Sequence, residues 1–202
     1  MIGIVDYGIG NLRSVEKAFQ KIGGNPFFAK SSDQFSQSKA LVLPGVGNFG
    51  DCVRALHASG MWEGVLEWIQ SDRPLLGICV GYQMLFESSE EDLSVRGLGI
   101  LKGKVIKFQG TNLKIPQIGW NQIKQLKESP LNKGLNPEEY FYFVHSFHPV
   151  LEETAAALFS TEYGVTFPSA IARSHLYGVQ FHPEKSQKAG LTLLKNYIEA
   201  YP

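Results

Sequence analysis

The sequence predicts an α/β domain with an open, mostly parallel sheet, helices on both faces and added antiparallel strands in the second half. Three observations predict it. In the first half, short apolar runs alternate with stretches that are apolar at helical spacing, the βαβ rhythm of a parallel sheet. Glycine-rich turns close several of those runs. From Gly99 onward strand-like runs follow one another with little helix between them, so hairpins or a mixed sheet have to extend the parallel core.

In chain order, IGIVDY (2–7) is a short apolar run closed by glycines, as a buried strand would be. Asn11 then stands where it can cap a helix carrying Val15, Phe19 and Ile22, which Gly23 and Gly24 end. PFFAK (26–30) and ALVLP (40–44) read as further strands. Phe49 to Gln70 is apolar at helical spacing, with a break at Ser59-Gly60. RPLLGI (73–78) is the next strand and VGYQMLFESSEE (80–91) the next helix. In the second half, GILKGKVIKF, EYFYFVHSF, ALFSTEY, SAIARS and LYGVQF are strand-like, and SQKAGLTLLKNYIEAY (186–201) reads as a closing amphipathic helix.

With 202 residues the chain suits one compact domain, 1–202, and is short for two. No internal repeat, low-complexity stretch or linker divides it. It is 44% hydrophobic and 19% charged, and 19 basic residues balance 19 acidic ones. That balance offers no basic field for nucleic acid. The opening MIGIVDYGIGNL lacks the basic start of a signal peptide, and no apolar run approaches membrane-spanning length, so a cytoplasmic location is expected. Both cysteines are then expected to stay reduced.

The chemistry is concentrated at Gly77-Ile78-Cys79-Val80-Gly81. This is the G-x-nucleophile-x-G form of a strand-to-helix elbow, with cysteine as the nucleophile. Such a turn strains the nucleophile's backbone and needs small neighbours. It also sets Cys79 at the positive end of the following helix, which favours a thiolate. Cys52, without such flanks, reads as a small apolar residue on a helix. A cysteine nucleophile needs a base and a group that orients the base. In GVQFHPEKS, His182 and Glu184 are two apart and share one side of an extended chain that follows a strand. Both Cys79 and His182 therefore follow strands, where open α/β sheets build their sites. His57 reads as a surface helix residue, His148 and His175 as loop residues, and His145 as a core histidine. The histidines and cysteines show no metal spacing and no cofactor is implied.

A rival reading uses LPGVGNFG (43–50). Gly45-x-Gly47-x-x-Gly50 after a strand and before a helix matches the dinucleotide fingerprint of a dehydrogenase. Pro44 is unusual for such a turn, and no acidic residue ends a clear second strand at the spacing a ribose contact needs; Asp33, after a second Gly-x-Gly at Gly8 and Gly10, is only a weak candidate. The same glycines can instead turn backbone N–H groups toward an oxyanion, with the Val80 N–H as second donor.

LPGVGNFG, LGICVGYQMLFE, PQIGWN, YFVHSF and GVQFHPEKS, in this order, resemble the class I (triad) glutamine amidotransferases. More narrowly they resemble the family of glutaminase subunits of imidazole glycerol phosphate synthases. The resemblance implies a flavodoxin-like domain that hydrolyses L-glutamine to glutamate and ammonia through a cysteine thioester. It casts Cys79 as nucleophile, His182 as general base and acid, and Glu184 as its orienting group. It puts the Gly47 and Val80 amides at the oxyanion, and Gln83, Glu91, Ser146 and Phe147 around the substrate. The implied partner is a (β/α)8-barrel cyclase subunit. It takes up the ammonia to make imidazole glycerol phosphate and AICAR in histidine biosynthesis, and Asn11, Trp120, Tyr142 and Lys185 would face it. Tyr82, Phe147 and Ile9 depart from the residues more usual at those positions, and none removes a reacting group. Paralogues that supply ammonia for sugar modification in surface-polysaccharide synthesis share the same motifs. The pyridoxal phosphate synthase glutaminases match PQIGWN and YFVHSF poorly.

Overall fold

The structure, a computed structural model, describes residues 1–110 and 113–201; of the expected domain, positions 111, 112 and 202 lie outside the described residues. The first half alternates strands and helices as its periodicity predicts: β1 (Ile2–Val5), α1 (Leu12–Lys21), β2 (Pro26–Ala29), β3 (Ala40–Gly45), α2 (Phe49–Ala58), α3 (Trp62–Gln70) and β4 (Leu75–Cys79). A single helical turn, α4 (Val80–Gln83), then leads to β5 (Phe86–Ser89) and β6 (Leu101–Lys107). The remaining elements are β7 (Gln117–Gln122), β8 (Lys124–Gln125), β9 (Tyr140–His145), β10 (Phe147–Leu151), β11 (Ala157–Glu162), β12 (Thr166–Arg173), β13 (Leu176–Val179) and α5 (Gln187–Glu199).

The main sheet has eight strands in the order β2-β1-β3-β4-β13-β12-β11-β8. The first five run parallel and the last three antiparallel, so the expected mixed extension is present. The parallel part has the flavodoxin-like order, with β13 as fifth strand. Every residue of β1, β3, β4 and β13 is buried, as strands covered on both faces must be. The final crossing brings β13 beside β4, with Gly178 opposite Gly77. Chain segments about a hundred residues apart in sequence thus end side by side in the middle of the sheet.

Four expectations need correction. The helix predicted over 80–91 stops after one turn. Continuing it would require the Met84 and Leu85 carbonyls to accept bonds from the next turn, but Leu98 N–H takes the first and Ile100 and Leu101 N–H take the second. Met84, Leu85 and Phe86 are all fully buried, which helix and strand satisfy equally well, and tertiary pairing decides for strand. His148, expected in a loop, sits buried within β10. Asn11 holds the N-cap position of α1 but makes no capping bond; its side chain turns to Glu184 instead. The strands of GILKGKVIKF and EYFYFVHSF, expected to extend the core sheet, instead join two separate sheets, β10-β6-β5 and the β7-β9 ribbon.

Candidate active site

Cys79 ends β4 with φ 55° and ψ −111°, a conformation that L-residues avoid and that persists only where the surroundings impose it. The surroundings here are backbone. A Cβ on Gly77 would lie 2.8 Å from the Gly81 carbonyl oxygen and 2.9 Å from the Tyr82 nitrogen, and one on Gly81 would collide with the Leu43 carbonyl. The glycines let β4 fold back against its own turn and against β3 at van der Waals distance, and the turn forces the sulfur outward. Tyr82, a departure from the usual residue, is absorbed locally. Its ring covers Gly178, where a side chain would collide with it, and its hydroxyl donates to the Pro168 carbonyl at 3.2 Å.

His182 follows β13, and its N–H is anchored to the Tyr142 carbonyl of β9 at 2.9 Å. Its Nδ1 donates to Glu184 Oε1 at 2.8 Å, and both side chains are almost wholly buried. Burial alone lowers the His182 pKa. The facing Cys79 sulfur, and after it the Glu184 carboxylate, outweigh burial and raise the value to about 10. The helix that was to favour a thiolate at Cys79 is only one turn long, so the positive charge beside the sulfur is that of His182.

The Cys79 sulfur opens on a cavity of about 270 Å³ lined by Gly47, Val80, Gln83, Glu91, Ser146 and Phe147 among others. All the residues expected around the substrate and the oxyanion therefore border one space. Gln83 is buried, and its Nε2 donates to the Phe147 carbonyl at 3.1 Å and to Gln180 Oε1 at 3.0 Å, which leaves its Oε1 as the acceptor. Glu91 Oε2 accepts the Phe49 N–H at 2.7 Å, at the start of α2; burial raises the Glu91 pKa. Gly47 adopts φ 84°, accessible to glycine at little cost. His145 also lines the cavity, but both its ring nitrogens are engaged: Nδ1–H donates to the Phe147 carbonyl at 2.7 Å, and Nε2 lies 2.9 Å from the Gln117 carboxamide, whose NH2 end donates to it when the ring is neutral. Burial pushes its pKa down to about 4, so it is neutral, as a core histidine should be.

One polar residue of the site escaped the sequence. Gln180 is fully buried at the end of β13 and carries its amide between Gln83 and the Cys79 sulfur, Nε2 to Sγ 3.9 Å. Its partners are about a hundred residues away in the chain, and the only local signal was a glutamine in an otherwise apolar strand. Among the described residues no group of three or more His, Cys, Asp or Glu is arranged to hold a metal. The four residues expected at a partner surface are linked around the triad. Asn11 Nδ2 reaches Glu184 Oε1 at 3.5 Å, Lys185 lies 5.8 Å over the Tyr142 ring, and Trp120 meets Tyr142 edge-on at 6.2 Å.

A buried Cys-His-Glu constellation on a flavodoxin-like sheet defines a thiol amidohydrolase, and the chain belongs to the class-I glutamine amidotransferase family, whose model matches residues 4–200. Within that family it is 48% identical over 203 residues to the imidazole glycerol phosphate synthase subunit HisH of Wolinella succinogenes, covering 98% of this chain and 99% of the relative. The same subunit of Syntrophotalea carbinolica is 45% identical over 98% of both chains. Among solved structures, PurLQS from Thermotoga maritima shares the fold at a TM-score of 0.79 and 16% identity, over 100% of this chain and 98% of the other. Family membership sets aside the dinucleotide reading of Gly45–Gly50.

Proposed function

We propose that this chain is the glutaminase subunit of an imidazole glycerol phosphate synthase. Cys79 sulfur attacks the side-chain carboxamide carbon of glutamine, and the Gly47 and Val80 N–H groups receive the oxyanion. His182 gives its proton to the leaving nitrogen, and ammonia departs as the thioester forms. His182 then takes a proton from water, which attacks the thioester carbon and releases glutamate and the thiolate. Glu184 fixes the ring and its charge throughout. The Glu91 Oε1 and Gln83 Oε1 atoms are the acceptors available for the α-ammonium. Ammonia passes to a (β/α)8-barrel cyclase subunit docked over Asn11, Trp120, Tyr142 and Lys185, in the cytoplasm.

The observation that carries this reading is the strained Cys79 facing a buried histidine that Glu184 binds at 2.8 Å. A thiol-directed glutamine analogue should label Cys79 and leave Cys52 untouched. In the complex, Cys79→Ser should abolish synthesis from glutamine and preserve synthesis from ammonium salts. Loss of both activities would sink the separation of the two half-reactions. Co-purification of a partner for sugar modification instead of the cyclase would transfer the same chemistry to that paralogous pathway.

A further inference from the structure

Two buried polar side chains beneath the Pro44–Gly47 turn take no part in the triad. Tyr7, just past β1, is 5% exposed and donates its hydroxyl to the Pro44 carbonyl at 2.6 Å. Cys52, fully buried on α2, donates its S–H to the Val46 carbonyl at 3.4 Å. The two side chains adjoin, and burial raises the pKa of both, that of Cys52 to about 11. Each therefore keeps its proton at neutral pH and remains a donor.

In a planar trans peptide the C=O and N–H point in opposite directions. Binding the Val46 carbonyl on the Cys52 side therefore sends the Gly47 N–H the other way, and Gly47 borders the Cys79 cavity. The same relation holds between the Pro44 carbonyl and the N–H of Gly45, which pairs with Cys79 across β3 and β4. Gly45-Val46-Gly47 has glycine on both sides of one residue, so its peptides rotate at little intrinsic cost. An oxyanion donor works only when it is aimed in advance. Something has to hold this turn, and the two carbonyl bonds do so.

We propose that Tyr7 and Cys52 are positioning residues that clamp the carbonyls of the oxyanion turn and so aim the Gly47 N–H at the carbonyl under attack by Cys79. This rests on the glutaminase reading above. A residue that only fills the core would affect stability when its hydroxyl is lost and leave turnover alone. A clamp affects kcat, because the donor is needed most in the transition state.

The test uses the complex with its co-purifying partner and the variants Tyr7→Phe, Cys52→Ala and Cys52→Ser. Glutamate release gives kcat and KM, and iodoacetamide alkylation of Cys79, followed by mass spectrometry, reports the thiol without forming an oxyanion. Outright removal of one oxyanion donor costs about a hundred- to a thousand-fold in kcat. Misaiming it should cost about ten- to a hundred-fold in Tyr7→Phe and Cys52→Ala, with KM and the alkylation rate within about two-fold of the parent. Cys52→Ser, which restores an O–H donor, should recover most of the loss. Parent-like kcat in both Tyr7→Phe and Cys52→Ala would overturn the clamp. So would an equal fall in kcat and alkylation rate, which marks general damage. If the parent complex itself releases no glutamate and the glutamine analogue leaves Cys79 unlabelled, the glutaminase reading fails first.

Discussion

Burial strips His182 of water, which by itself favours the neutral ring; the Cys79 sulfur and the Glu184 carboxylate reverse that preference and hold the pKa near 10. His145, which lines the Cys79 cavity, has no anionic partner facing it, and burial wins, with a pKa near 4. The two histidines thus take opposite states at pH 7, as the proposed acid–base residue and a structural one should. An NMR titration of the imidazole rings should find His182 charged up to about pH 10 and His145 neutral down to about pH 4. In Cys79→Ala the largest raising influence is gone, so His182 should titrate well below its parent value. An unchanged His182 titration in that variant would show that the sulfur does not supply the charge. At this scale the triad was legible because its signals are local: glycines flank Cys79, and His182 and Glu184 are two apart. Tyr7 and Gln180 were not legible, since their partners are 37 and about a hundred residues distant.

The elbow between β4 and α4 shows what an element can announce and what it cannot. Its glycines spoke for a close approach, and the structure supplies the neighbours they approach, the Leu43 carbonyl of β3 and the turn's own backbone. The length of the helix beyond was not announced. It is set by Leu98, Ile100 and Leu101, whose N–H groups take the carbonyls that a longer helix would use, and no window around position 85 contains them. Gly81→Ala is the test of the element. The added methyl meets backbone, which cannot rotate away as a side chain can, so the turn has to lift off β3. Forced overpacking of this kind costs about 1–3 kcal/mol, tolerable for a domain of this size. The fold should survive with a lowered denaturation midpoint, whereas labelling of Cys79 by the glutamine analogue should slow by at least about ten-fold, because a 1 Å displacement of a reacting group can cost a hundred-fold. Labelling at the parent rate would mean that the turn tolerates a Cβ and that strain at Cys79 is not set there.

Across the whole molecule, the β7-β9 ribbon joins the triad to the surface. Its register pairs Trp120 with Tyr142, Ile118 with Val144 and Gln122 with Tyr140 on one face, and Gly119 with Phe143 and Asn121 with Phe141 on the other. The second face carries Phe141 and Phe143 into the core, Phe141 stacked on Phe181 and Phe143 edge-on to it. The first leaves Ile118 61%, Trp120 47% and Tyr140 51% exposed, an apolar face beside the His182–Ser186 turn. EYFYFVHSF reads as a strand. That its outer face is aromatic, and joined to Trp120, emerges only from a pairing between segments about twenty residues apart. Since Tyr142 binds the His182 N–H through its carbonyl, pressure on this face reaches His182 through one peptide unit. Exposed aromatics clustered at the centre of a docking face are the residues that dominate binding energy. Trp120→Ala should therefore weaken association with the proposed cyclase partner by about 2 kcal/mol or more, roughly thirty-fold in Kd by titration calorimetry. The isolated variant should keep the parent rate of Cys79 alkylation, because Trp120 touches Tyr142 and not the sulfur. Unchanged affinity would move the docking face away from the ribbon, and with it the route by which a partner could reach His182.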